Sequence, residues 1–205
     1  MNNVLSELLN KLNRSGLLET ISLSLSFLCH RIHSKILLAH LSVRGYAIHR
    51  SVIIGTNAIF FQSYKNSIRI QSGTSIGSGV RLKAGFSGKI LIGKNVLIED
   101  YTSIYAHKTL SIGDNTMIST HCFITDFNHK YPHSEYKHLL LSEEGYTSNK
   151  TTIGNNVWIG ANCCILDGVT IGDDAVIGAG SVVTKSIPAR HIAVGNPARI
   201  IKIIK

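Results

Sequence analysis

From Ile153 onward a branched aliphatic returns at every sixth residue: Ile153, Ile159, Ile165, Ile171, Ile177 and Val183. A small or β-branched residue follows each of the first five, four positions later: Val157, Cys163, Val169, Ala175 and Ser181. An α-helix would scatter such positions around its 3.6-residue turn, and a flat strand would alternate by two. A period of six instead fits a chain that turns a corner after every six residues. The aliphatic then fills the interior, the small residue sits near the corner, and Gly, Asn or Asp takes the turn torsions. Three such sides close one coil of a parallel β-helix, and the coils stack as a solenoid.

The same pattern runs upstream with interruptions. It begins weakly at Ile48, Ile54 and Phe60, resumes at Ile70, Ile76 and Leu82, then at Ile92, Ile98, Ile104 and Leu110. A further run is Ile112, Ile118 and Ile124. Phase jumps near 61–67, 85–89 and 110–112 read as small bulges at corners. The run stops at Asp126, and residues 129–150, with Tyr131, Pro132, Tyr136, Glu143, Glu144 and Gly145, have no repeat. An excursion of that length on a rigid frame is a place where function concentrates. The repeat ends at Ile187-Pro188-Ala189. These limits predict a helical segment over 1–44, a β-helix domain over 45–201 interrupted by the loop 129–150, and a tail over 202–205.

Residues 1–44 carry a helical pattern: Val4, Leu5, Leu8, Leu9 and Leu12 share one face. Leu17 to Leu41 is apolar but broken by Glu19, His30, Arg31 and Lys35, short of the ~18 uninterrupted apolar residues of a spanning helix. It also lacks the basic start and cleavage site of a secretory signal. Two readings stay open: a helical cap on the first coil, or a basic amphipathic segment lying on the inner membrane face.

The formal charge of +9 over 205 residues favours anionic partners such as coenzyme phosphates, acidic glycans or a membrane surface. Nucleic acid ranks last, because the basic residues are dispersed and no nucleic-acid motif is present. Cys29, Cys122, Cys163 and Cys164 form no C-x-x-C pair, which argues against a zinc site or a disulfide framework. Cys122 and Cys163 fall on the small inward slot and read as buried hydrophobes. Free thiols fit a reducing cytoplasm.

Three motifs stand in order around the excursion: Ile124-Thr125-Asp126-Phe127-Asn128-His129, Asn155-Asn156-Val157-Trp158-Ile159-Gly160 and Gly195-Asn196-Pro197-Ala198-Arg199. With the repeat, they resemble the hexapeptide-repeat, left-handed β-helix acyltransferases, in the maltose, galactoside and xenobiotic O-acetyltransferase branch. Within that branch the chain is most similar to enzymes that acetylate bacterial surface polysaccharides. The left hand, a homotrimer, acetyl-CoA as co-substrate with no tightly bound cofactor or metal, and a sugar acceptor are what the resemblance implies.

The resemblance also implies roles for residues. His129 matches the general-base histidine, and imidazole suits removal of a hydroxyl proton near neutral pH. Phe127 stands where many relatives carry another histidine, and His133 is near enough to compete as base. Asp126 or Asn128 would orient the imidazole. Trp158 matches a residue beside the pantetheine arm. Gly160 and Ala161 follow it, and the Ala161 amide matches the slot that holds the thioester oxygen. Ala179 and Thr184 match pantetheine-lining positions; Lys185, Arg199 and Lys202 match contacts to the coenzyme phosphates. On the acceptor side stand His107, Asn128 and His133. The family's acceptor carboxylate aligns near His107, and its loss here puts a simple galactoside or maltose in doubt; a negatively charged glycan would fit His107 and Lys108 better. The inward phase of Cys163 speaks against thiolate catalysis. Two other readings are a metal-dependent hydratase resembling γ-carbonic anhydrase, recruiting His107, His129 and His133, and a non-catalytic β-helix that assembles partners.

Overall fold

The computed structural model describes residues 17–130 and 145–205. The expected helical face from Val4 to Leu12 lies outside them, as do Tyr131, Pro132, His133, Tyr136, Glu143 and Glu144. The repeat folds into three sheets that form the faces of a prism. The first has six strands, from Ala47–Ile48 to Thr170–Ile171; the third has six, from Ile59–Gln62 to Val182–Val183. The second has eight, from Ile53–Ile54 to Arg199–Ile203. Pairing between coils is parallel until the end, where His191–Val194 pairs antiparallel with Arg199–Ile203. That last strand carries Lys202 and Ile203 into the sheet.

Like residues stack on like. On the second face Ile54, Ile76, Ile98, Ile118, Ile159 and Ile177 stand in register, one coil above the next. All are buried, each contributing about 1.5–3 kcal/mol of hydrophobic stabilisation. Val157, Cys163, Val169, Ala175 and Ser181 are buried as their slot requires. At one corner Asn95, Asn115, Asn156 and Asp174 take φ of 54, 56, 55 and 58°, the left-handed region that Asn and Asp tolerate best after Gly. Their side chains bond in a ladder, Asn95 to Asn115 at 3.2 Å, Asn115 to Asn156 at 3.3 Å and Asn156 to Asp174 at 3.1 Å.

The phase jumps are longer sides, not bulges. Strands Ile68–Ile70, Lys89–Ile92 and Thr109–Ile112 each turn two aliphatics inward: Ile68 with Ile70, Ile90 with Ile92, Leu110 with Ile112. Arg81–Ala84 and Ser103–Ala106 bury Leu82 with Ala84 and Ile104 with Ala106. Within a side the strand period of two adds a second inward residue, so counting in sixes fails there.

Helix α1 (Leu17–Val43) precedes the solenoid. Its C-terminal half packs on the first coil, with Ser34 and Leu41 buried and the Ile54 amide donating to Ser34 Oγ at 2.9 Å. Leu28, Ile32 and Ile36 face away, exposed. Among the described residues no helix is long and apolar enough to cross a membrane.

Candidate active site

The chain leaves the solenoid after the third-face strand Phe123–Thr125. Phe127–His129 pairs antiparallel with Tyr146–Ser148, and His129 stands opposite Tyr146. The chain re-enters through Thr151, whose hydroxyl donates to the Thr125 carbonyl at 2.9 Å. His129 is therefore carried on a two-stranded stalk, with its side chain exposed. The pivot of the stalk is Asp126, fully buried. Its carboxylate accepts the His107 amide at 2.7 Å and the Lys108 amide at 2.9 Å. Burial pushes the Asp126 carboxyl up, and those two amides pull it back. Both oxygens are thus committed to the corner at 107–108. Of the two expected partners for the His129 imidazole, Asp126 is engaged at that corner and Asn128 is exposed on the stalk.

His107 stacks on Phe127 with ring centroids 3.7 Å apart and planes within 5°. The edges of Tyr146, at 4.5 Å, and Phe86, at 4.8 Å, close around it. Phe127 lies 6.1 Å from the His129 ring, so the phenylalanine ties His107 to the stalk. Gly85 makes room for the ring, since a Cβ there would lie 3.3 Å from His107 Cδ2 and Nε2. His107 Nδ1 is buried and has no hydrogen-bond partner among the described residues. Burial lowers the His107 pKa, nearby His129 adds to the lowering, and Asp126 opposes both. The lowering disfavours the charged form of His107, one of the two residues, with Lys108, expected to suit an anionic acceptor. Of the other acceptor candidates, Asn128 sits exposed on the stalk and His133 lies outside the described residues.

Next to this cluster the third face opens into a groove of about 600 Å³ lined by Phe61, Tyr64, Lys83, Phe86, Tyr105 and His107, with Ser63 and Gly85. The coenzyme candidates lie further along the solenoid. Trp158 is half exposed on the second face, between Met117 and Val176. Gly160, Ala161 and Ala179 form the corner that follows, joined by the Gly180 amide donating to the Ala161 carbonyl at 2.8 Å. Thr184 and Lys185 are exposed after the third-face strand Val182–Val183, on the same corner as the His129 stalk but on a later coil. Arg199 and Lys202 are exposed on the final strand. The candidate residues of one chain are thus divided between two corners of the prism.

The bacterial transferase hexapeptide (six repeats) family matches residues 150–185. Over 140 residues the chain is 37% identical to the "Putative lipopolysaccharide biosynthesis O-acetyl transferase WbbJ" of Escherichia coli (strain K12), covering 66% of this chain and 71% of that one. The chain belongs to the hexapeptide-repeat acetyltransferases. A galactoside acetyltransferase solved in complex with coenzyme A superposes with a TM-score of 0.52 at 34% identity, over 76% of this acetyltransferase and 66% of that chain. AntD, an N-acyltransferase from Bacillus cereus, matches the fold with a TM-score of 0.68 at 24% identity, over 82% and 89% of the two chains. The solenoid is the left-handed β-helix of this family.

In this acetyltransferase Cys122 and Cys163 are buried thiols that pair with the Gly160 and Gly178 carbonyls, each at 3.2 Å. Hydrogen bonding with Cys163 and burial push the Cys122 thiol far up. Among the described residues no group of three or more His, Cys, Asp and Glu converges. Sequence reading missed Phe61, Lys83, Phe86 and Tyr146. Phe61, Lys83 and Tyr105 lie in register one coil apart. An outward column counted at the coil length would have found them.

Proposed function

We propose that this acetyltransferase moves an acetyl group from acetyl-CoA to a sugar hydroxyl of a surface polysaccharide. The observation that carries the reading is the stalk, which holds an exposed histidine at the one break in a solenoid whose relatives include a lipopolysaccharide O-acetyl transferase. In the proposed reaction the acceptor oxygen attacks the thioester carbonyl carbon while its proton passes to the His129 imidazole. The Ala161 amide donates to the developing oxyanion. The carbon–sulfur bond then breaks, and the coenzyme thiolate takes the proton back from His129.

Trp158, Gly160, Ala179 and Thr184 line the pantetheine path, and Lys185, Arg199 and Lys202 meet the phosphates as fixed positive charges. Because one chain divides these residues between two corners, a homotrimer is the working unit: the Trp158 corner of one protomer faces the His129 corner of the next. Residues 45–201 form the catalytic unit. Exposed Leu28, Ile32 and Ile36, with Arg31 and Lys35 on the same helix, support peripheral contact with an anionic membrane surface on the cytoplasmic side. The test is release of free coenzyme thiol from acetyl-CoA in the presence of lipopolysaccharide-derived oligosaccharides, with the acetyl ester located on the product. Thiol release without an acetylated sugar would sink the reading.

A further inference from the structure

The groove beside His107 is not accounted for by the coenzyme or by the base. We propose that it holds the sugar next to the one being acetylated, and that this neighbour carries a carboxylate. The inference rests on the acetyl-transfer reading and adds the class of acceptor.

Four observations support it. First, the groove runs into the catalytic stalk, since its last lining residue, His107, stacks on Phe127 two residues from His129. Second, its rim offers flat apolar faces to solvent: Phe61 is 52% exposed, Tyr64 66% and Phe86 58%. Such faces, with a few convergent polar groups, are what a pyranose ring packs on. Third, Phe86 is held at a φ of 49°. Large residues enter the left-handed region rarely, and most such positions in this chain are Asn, including Asn57, Asn66, Asn95 and Asn115, with Tyr101, His121 and Arg190 the other large residues there. A bulky ring kept there at the expense of turn stability points to a task for the ring. Fourth, the charge has one sign. Lys83 lies between Phe61 and Tyr105 in register, its ammonium 5.0 Å from the Tyr105 ring centre. No lining residue is acidic. Between Glu19 and Glu99 the chain carries ten lysines and arginines and no Asp or Glu. A ring platform fits any glycan, but a lysine in the middle of it selects an acidic one.

The test uses the full chain with trigalacturonate as the acidic probe and maltotriose as the neutral one, binding being read by calorimetry beside acetyl-CoA. Wild type should prefer trigalacturonate. Lys83→Gln should weaken trigalacturonate about fivefold, the equivalent of ~1 kcal/mol for a partly exposed ion pair, and leave maltotriose unchanged. Phe86→Asn should weaken both glycans while keeping or raising the melting temperature, because Asn relieves the strained turn. Neither change should alter acetyl-CoA affinity. Equal affinity for the two glycans in wild type would overturn the proposal. So would a Phe86→Asn protein that melts earlier and binds glycan as before, or loss of the assembled oligomer in either variant, which would make the groove a subunit contact. Acetyl transfer to sugar that persists, unaffected by both substitutions, would remove the groove assignment alone. A wild-type protein that acetylates no sugar would remove the underlying activity as well.

Discussion

Removing the Asp126 carboxylate should loosen the corner beneath the His129 stalk. Asp126 is fully buried and accepts two backbone amides, from His107 at 2.7 Å and Lys108 at 2.9 Å. A hydrogen bond to a charged group contributes about 1.5–3 kcal/mol, so two give roughly 3–6. Burial of the carboxylate opposes this, as its raised pKa records. The lower end, ~3 kcal/mol, is therefore expected for Asp126→Ala, with two amides left unpaired. Asp126→Asn keeps one acceptor oxygen and should lose about half as much. Against a total stability of about 5–15 kcal/mol, both variants should still fold. Urea unfolding gives the overall loss, and amide hydrogen exchange at His107 and Lys108 shows whether it is local. Turnover should fall further than acetyl-CoA affinity in both variants, because the disturbed coil carries His107 and the stalk, whereas the coenzyme candidates on that corner, Thr184 and Lys185, lie on a later coil. Asp126→Ala within ~0.5 kcal/mol of wild type, with His107 and Lys108 exchanging as before, would refute the reasoning.

Three further outcomes follow. Burial lowers the His107 pKa below 6.5; the unfolded chain then binds the proton first as pH falls, so unfolding takes up a proton and stability declines below 6.5 toward the folded pKa. His107→Phe should flatten that decline in urea titrations between pH 5 and about 6.5, and an unchanged slope would rule His107 out as its source. Gly160→Ala would place a methyl 2.6 Å from the Ala179 nitrogen, so calorimetry should show weaker acetyl-CoA binding as the coils part; unaltered binding and melting would contradict the close approach. Arg199→Ala and Lys185→Ala should raise the acetyl-CoA KM more than they lower kcat, because phosphate contacts persist from ground state to transition state; a large loss of kcat at unchanged KM would reverse their assignment.

The solenoid was legible because each coil repeats its own register. Ile153, Ile159 and Ile165 announce three sides by themselves, and the exposure of Trp158 follows from its place before Ile159. The longer sides were obscured because Leu110 and Ile112 are both inward, and a six-residue count cannot tell a longer strand from a bulge. The candidate site was half legible. His129 stands at the break in the period, which any reading in sixes reveals. Its supporting cluster does not: Phe86, His107, Phe127 and Tyr146 come from four separate stretches and meet only once coils stack and the excursion returns as a hairpin. The bonding of Asp126 was not legible for a related reason. Its neighbours in sequence suggested a partner for His129, while its carboxylate bonds the coil below.

The measurement that bears most directly on the account is acetyl transfer to a lipopolysaccharide-derived oligosaccharide by His129→Ala and wild type, with acetyl-CoA affinity and melting temperature measured on both. Loss of a general base lowers rate about a hundred- to ten-thousandfold, and His129→Ala should lose that much while binding acetyl-CoA and melting as wild type does. A His129→Ala protein that keeps its rate to within a few-fold, with His133→Ala inactive or not, would contradict the assignment of the base to the stalk.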